Sequence, residues 1–210
     1  MKKADFIGND KQIYVDKLEI SKEDITKLPM GRFHGRITVV SSRESADKAI
    51  GFLSRSRFLG FDTETRPCFK KGEHHKVSLI QLASETHAYL FRINILGMPP
   101  SLRWLLETEK VIKIGQDVRQ DLKALKKECG VQGRGFIDLM DITKKLECSP
   151  RSVKGLAALF LGIRISKSAQ TSNWERQRLN LKQKMYAAMD AWICLEVYKS
   201  MLKRKLVRPA

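Results

Sequence analysis

Two apolar runs, Val77–Ala83 and Ala88–Ile93, are separated only by a turn around Ser84–Thr86. A link that short returns the chain antiparallel, because a parallel neighbour needs a crossover of roughly a dozen residues or more. The remaining pattern is of another kind. The β-branched run Ile37–Val40 precedes Ser42–Arg55, where Ala46, Ala49, Ile50 and Leu53 fall at helical spacing. Phe58–Phe61 reads as a strand, Ser101–Glu107 as a short helix behind Pro99-Pro100, Val111–Ile114 as a strand and Asp117–Cys129 as a helix. Phe136–Leu139 is a short extended piece. Helices follow at Ile142–Leu146, at Val153–Leu161 before Gly162, and at the long terminal Leu181–Lys205. A hairpin followed by alternating strands and helices specifies an α/β chain, a mixed β-sheet flanked by helices on both faces.

The 210 residues suffice for one domain with its own core plus an extension. Residues 1–36 are polar, with short apolar pieces at Ile13–Val15 and Leu18–Ile20. Ser21 and Asp24 form a capping arrangement, Ile25 and Leu28 give one apolar face, and Pro29 with the Gly31–Gly35 stretch ends the short helix. Residues 1–36 are therefore expected to be an N-terminal extension packed on a domain spanning 37–205, with 206–210 a short tail.

Lys and Arg total 40 against 23 Asp and Glu, a net charge of +17. That surplus calls for a polyanionic partner, nucleic acid before an anionic membrane. It is densest after residue 140, where 15 Lys/Arg face 5 Asp/Glu, interleaved with apolar residues as on a folded helical surface. No run of 18 apolar residues occurs, and no apolar core follows the basic Met1–Lys3, so neither a membrane span nor a signal peptide is expected. Cys68, Cys129, Cys148 and Cys194 are widely spaced, with no C-x-x-C and no Cys/His cluster at zinc spacing. A reduced, cytoplasmic setting is the default for such thiols.

The informative residues are acidic ones in this basic chain. Asp62 and Glu64 follow directly on a strand, and the period of two puts both carboxylates on one face. Two such anions repel unless a cation lies between them, and a hard divalent ion prefers carboxylate oxygens. Asp121 lies just inside a helix entered through a tight Gly115 turn, with Asp117 at the N-cap position. Tyr186 and Asp190 share a face of the terminal helix, and Ala187 and Ala188 between them admit a close neighbour. His74 and His75, with Lys70, Lys71 and Lys76, read as a flexible basic loop near a substrate entrance. Adjacent histidines rarely converge on one metal, and nothing beside Cys68 suggests an activated thiolate.

In this order the motifs resemble the 3′–5′ exonucleases of the ribonuclease D type, the tyrosine branch of the DEDD superfamily, which has a ribonuclease H-like fold. The matching text is Phe58-Leu-Gly-Phe-Asp-Thr-Glu64, Val77-Ser-Leu-Ile-Gln-Leu-Ala83, Val111-Ile-Lys-Ile-Gly-Gln-Asp-Val-Arg-Gln-Asp-Leu122, and Ser172-Asn-Trp174 leading to Tyr186-Ala-Ala-Met-Asp190. The resemblance implies that Asp62, Glu64, Asp121 and Asp190 hold two divalent metal ions, Mg²⁺ or Mn²⁺, and that Tyr186 positions the attacking water. It implies a two-metal hydrolysis of phosphodiesters from the 3′ end, releasing nucleoside 5′-monophosphates. Thr63, Gln116, Trp174 and Arg178 are the expected substrate contacts, Trp174 by stacking on a base unless it is buried beneath the last helix. Two departures touch those contacts: Gln116 stands where the family often has Asn or His, and Arg178-Leu179 follows Gln177 where Arg-Pro-Leu is common. The expected partner is a nucleic-acid single strand or 3′ end. RNA and DNA present the same phosphates and differ at the 2′-hydroxyl. The alternative is a catalytically degenerate nucleic-acid-binding module, although a pure binder of polyanions has no reason to cluster carboxylates.

Overall fold

A computed structural model describes residues 18–70, 72–166 and 169–209. Among these residues the apolar runs become six strands: β1 (Arg36–Val40), β2 (Phe58–Thr65), β3 (Val77–Ala83), β4 (His87–Phe91), β5 (Ile112–Gly115) and β6 (Phe136–Asp138). They form one sheet in the order β1-β4-β3-β2-β5-β6. β3 is antiparallel to both neighbours, while β1–β4, β2–β5 and β5–β6 pair in parallel. The β3–β4 hairpin closes where Ser84–Thr86 predicts it, with the Ser84 N–H donating to His87 O at 2.8 Å.

Among the described residues eight α-helices surround the sheet: α1 (Lys22–Lys27), α2 (Arg43–Leu53), α3 (Ile93–Leu96), α4 (Pro100–Glu107), α5 (Val118–Cys129), α6 (Leu139–Lys145), α7 (Val153–Leu156) and α8 (Leu181–Lys203). Alternation along the central strands divides their side chains between two cores. Leu59, Phe61, Ile80 and Leu82 pack with apolar residues of α2, α4 and α5 on one face. The other face is covered by α8, whose Ile193, Cys194, Val197, Tyr198 and Met201 share a core with Ala83, Ala88 and Ile114. Each large aliphatic side chain so buried contributes about 1.5–3 kcal/mol, which explains why α8 lies flat across the sheet. None of the described helices is long and apolar enough to cross a membrane.

Several local expectations change. β2 does not stop at Phe61 but runs to Thr65, so Asp62 and Glu64 lie within the strand. Val153–Leu161 is α7 followed by a π-helical turn over Ala157–Leu161, closed by Gly162 at φ 66°. Asp117 occupies the N-cap position of α5 with φ 57° and makes no side-chain cap. Its N–H is instead held by Asp138 Oδ1 at 2.9 Å. Near the N-terminus, Ser21 caps α1 as its spacing predicts. Isolated bridges join Glu19 to Ser149 and Met30 to Arg164, and Phe33 is buried in the α8 core. The apolar piece Ile13–Val15 lies outside the described residues.

Candidate active site

β2 pairs with β5 only over Phe58–Gly60, yet it pairs with β3 as far as Thr65. Its last residues therefore overhang β5, which has already turned at Gln116-Asp117 into α5. The overhang carries Asp62, Thr63 and Glu64. The first turns of α5 bring Asp121 alongside, and its Oδ1 accepts a hydrogen bond from Thr63 Oγ1 at 2.5 Å. Asp190 arrives from the other direction. A Cβ at Gly60 would fall 1.8 Å from Ala191 O, so only glycine lets the α8 backbone touch the β2 backbone here. Gly60, Asp62 and Glu64 share the face toward α8. The contact at Ala191 thus delivers the preceding residue, Asp190, to the two acids.

One oxygen from each of Asp62, Glu64 and Asp190 lies within 4.8 Å of the others. Withdrawal from water disfavours the ionised form of every member. Burial, reinforced by Asp190 and Asp121, holds the Asp62 carboxyl well above its ordinary 3.8. Glu64 is pushed up to about 10 by burial and then by Asp62 and Asp190. Burial raises Asp121 to about 6 against the lowering effect of its Thr63 bond. It likewise raises Asp190 to about 6 against a hydrogen bond from Tyr186. The Tyr186 phenol is itself raised by burial and by the charges of Asp190 and Glu64, so it stays protonated and donates. Ion pairs among the described residues involve none of these four acids. Gln81 sits directly across the ladder from Asp62, on the same face. Its amide is buried with both polar atoms unpartnered. Crowded carboxylates with no cationic side chain and an orphaned amide beside them form a donor set that fits hard divalent cations.

Asp62, Glu64, Asp190 and Tyr186 open into a cleft of about 290 Å³ that is also lined by Ser152, Lys154 and Gln170. An apolar extension of about 390 Å³ continues between Phe33, Met185 and Met189. Lys154 and Gln170 carry no local signal of a site, because their approach to β2 depends on how the chain around the π-turn packs. The four expected substrate contacts fare differently. Thr63 lines the cleft, but its hydroxyl is committed to Asp121. Gln116 donates to Arg151 O at 2.9 Å and so fastens the β5–α5 turn. Trp174 is corrected outright: it is 0% exposed, beneath α8 with its ring centroid 6.1 Å from that of Tyr186, so no face is open to a base. Arg178 is exposed and is not among the residues lining the cleft. The segment between them is fixed by the buried Arg92 guanidinium, which donates to Arg176 O at 2.6 Å.

Residues 37–205 match a family model described as 3′–5′ exonuclease. The bifunctional 3′–5′ exonuclease/ATP-dependent helicase WRN of Mus musculus is 34% identical over 188 residues, 83% of this chain and 13% of that protein. The exonuclease mut-7 homolog of Homo sapiens is 28% identical over 218 residues, 89% of this chain and 25% of that protein. The chain thus spans a quarter or less of the length of these relatives. Among solved structures, the Aedes aegypti Nibbler EXO domain superposes with a TM-score of 0.76 at 23% identity, over 83% of this chain and 92% of that one. The likeness is one of fold, and it agrees with the ribonuclease H-like mixed sheet expected from the motifs.

Proposed function

Because the chain belongs to the 3′–5′ exonuclease family, we propose that it hydrolyses phosphodiesters of nucleic acid from the 3′ end and releases nucleoside 5′-monophosphates. The observation that carries this reading is the convergence of Asp62, Glu64 and Asp190 within 4.8 Å, with Asp121 and Tyr186 beside them. Residues 37–205 are the unit we hold responsible, with residues 1–36 an extension to it, of which 1–17 lie outside the described residues. Four free cysteines support a reducing, cytoplasmic setting.

Asp62, Glu64, Asp121 and Asp190 would hold two divalent ions, Mg²⁺ or Mn²⁺. When bound, such ions supply Lewis-acid stabilisation of the phosphate and of the attacking and leaving oxygens. The protein's own contribution is positional. The Gly60–Ala191 contact and the Thr63–Asp121 bond set the carboxylates before substrate arrives, so little reorganisation is needed. Tyr186, protonated and hydrogen-bonded to Asp190, orients the attacking water and does not act as its base. Lys154 at the cleft wall counters phosphate charge, and the wider surplus of +17 draws the strand in. The apolar extension beside Met185 and Met189 offers a seat for the terminal base.

The test is shortening of 5′-labelled single-stranded RNA, single-stranded DNA and recessed duplexes in Mg²⁺ or Mn²⁺, with Asp62→Asn as control. A ladder receding from the 3′ end that vanishes in chelator and in Asp62→Asn is expected. Tight binding without shortening under any divalent ion would leave a nucleic-acid-binding module in place of the enzyme.

A further inference from the structure

The loop between β2 and β3 brings together three side chains with no part in the acidic centre. Cys68 Sγ, a Glu73 carboxylate oxygen and a His75 ring nitrogen all lie within 4.8 Å of one another. Glu73 Oε1 is 3.3 Å from His75 Nε2, while the other Glu73 oxygen accepts the Phe69 N–H at 3.3 Å. The opposite ring nitrogen, Nδ1, lies 3.4 Å from Glu175 Oε1. Nε2 is buried and makes no hydrogen bond, so its nearness to Glu73 is not that of a donor aimed at an acceptor.

We propose that Cys68, Glu73 and His75 form a second metal site, one for Zn²⁺ or a cation of similar softness, with Glu175 orienting His75. Three features support it. Two donors bound to one zinc at about 2.0–2.1 Å and a tetrahedral angle stand about 3.4 Å apart, close to the Glu73–His75 separation. A thiolate, imidazole and carboxylate set selects zinc-like ions over magnesium. A ligating histidine characteristically passes its second N–H to a carboxylate, which is the place Glu175 takes. Binding transfers the Cys68 thiol proton to solvent and leaves a fourth position for water. Glu175 also meets Arg66 at 3.2 Å. The ion would therefore clamp the loop that leaves β2 just beyond Glu64 onto the segment following Trp174. The site stands whether or not the acidic centre cleaves nucleic acid.

The experiment uses the untagged full chain, stripped with chelator and titrated with Zn²⁺ or Co²⁺ in excess Mg²⁺. One equivalent of Zn²⁺ that Mg²⁺ does not displace is expected. Co²⁺ in its place should show sulfur-to-metal charge-transfer absorption, which the carboxylate centre cannot produce. Cys68→Ser and His75→Ala should abolish that absorption, and Glu175→Gln should weaken the affinity about 10- to 100-fold. Cys68 is exposed, so its serine variant retains the fold, as circular dichroism should verify. No sulfur-to-cobalt absorption, or absorption that survives Cys68→Ser or His75→Ala, overturns the proposal.

Discussion

Asp190→Asn should make the metal-free protein more stable. The substitution keeps an oxygen to accept the Tyr186 hydroxyl and removes only a charge from a residue 8% exposed. The carboxyl titrates at about 6 in the fold against an ordinary 3.8, a difference on the order of 3 kcal/mol at about 1.4 kcal/mol per pKa unit. The sign follows from proton counting. Between pH 3.8 and about 6 the folded state holds more protons than the unfolded state, so stability falls as pH rises through that window. Above it the whole penalty is present, and below it none. In chelator at pH 7.5 the variant should therefore melt roughly 6–12 °C higher, at about 2–4 °C per kcal/mol for a chain of this size. At pH 3, below that window, the two melting curves should coincide. Mg²⁺ at pH 7.5 should raise the wild-type midpoint and close the gap, because the ion supplies the charge balance the apo site lacks. Thermal melts read by circular dichroism measure all three arms. A variant no more stable than wild type in chelator at pH 7.5, or a gap of equal size at both pH values, would refute the reasoning.

Tyr186→Phe should slow hydrolysis about 10- to 100-fold while leaving divalent-ion affinity largely intact; single-turnover rates beside a Mg²⁺ titration check it, and unchanged turnover removes the water-orienting role. Gly60→Ala should destabilise the fold by about 1–3 kcal/mol and lower activity together, because its Cβ would meet the α8 backbone at Ala191; urea unfolding that leaves the midpoint unmoved contradicts that contact. Lys113 is fully buried, donates to Thr108 O and Val111 O, and is lowered by burial from 10.5 to about 8. Between those values the unfolded state holds the extra proton, so stability gains up to about 3 kcal/mol as pH rises. Wild type should gain on Lys113→Met by that order between pH 7.5 and 10, and a constant difference in urea midpoints counts against it.

What the chain shows in one dimension is whatever depends on near neighbours. The alternation of Val77–Ala83 and its short link to β4 specify a hairpin, because backbone pairing and side-chain period act over a few residues. The period of two puts Asp62 with Glu64, and the helical period puts Tyr186 with Asp190, so both halves of the acidic centre are visible before folding. The extent of β2 is not. Asp62-Thr-Glu64 looks like a strand exit because its side chains are polar, and only pairing with β3 keeps it extended to Thr65. The meeting of Gly60 with Ala191 joins residues 131 apart in sequence and decides that the two halves become one site. Burial is likewise a property of the whole: Trp174 has the composition of a stacking platform, and α8 covers it. Cys68, Glu73 and His75 have no recognised metal-ligand spacing, and only the path of a loop brings their donor atoms together. The acids, their order and the strands and helices that carry them are legible along the chain. The tertiary structure decided how far each strand runs, which backbones touch and which side chains water can reach, because those follow from long-range packing.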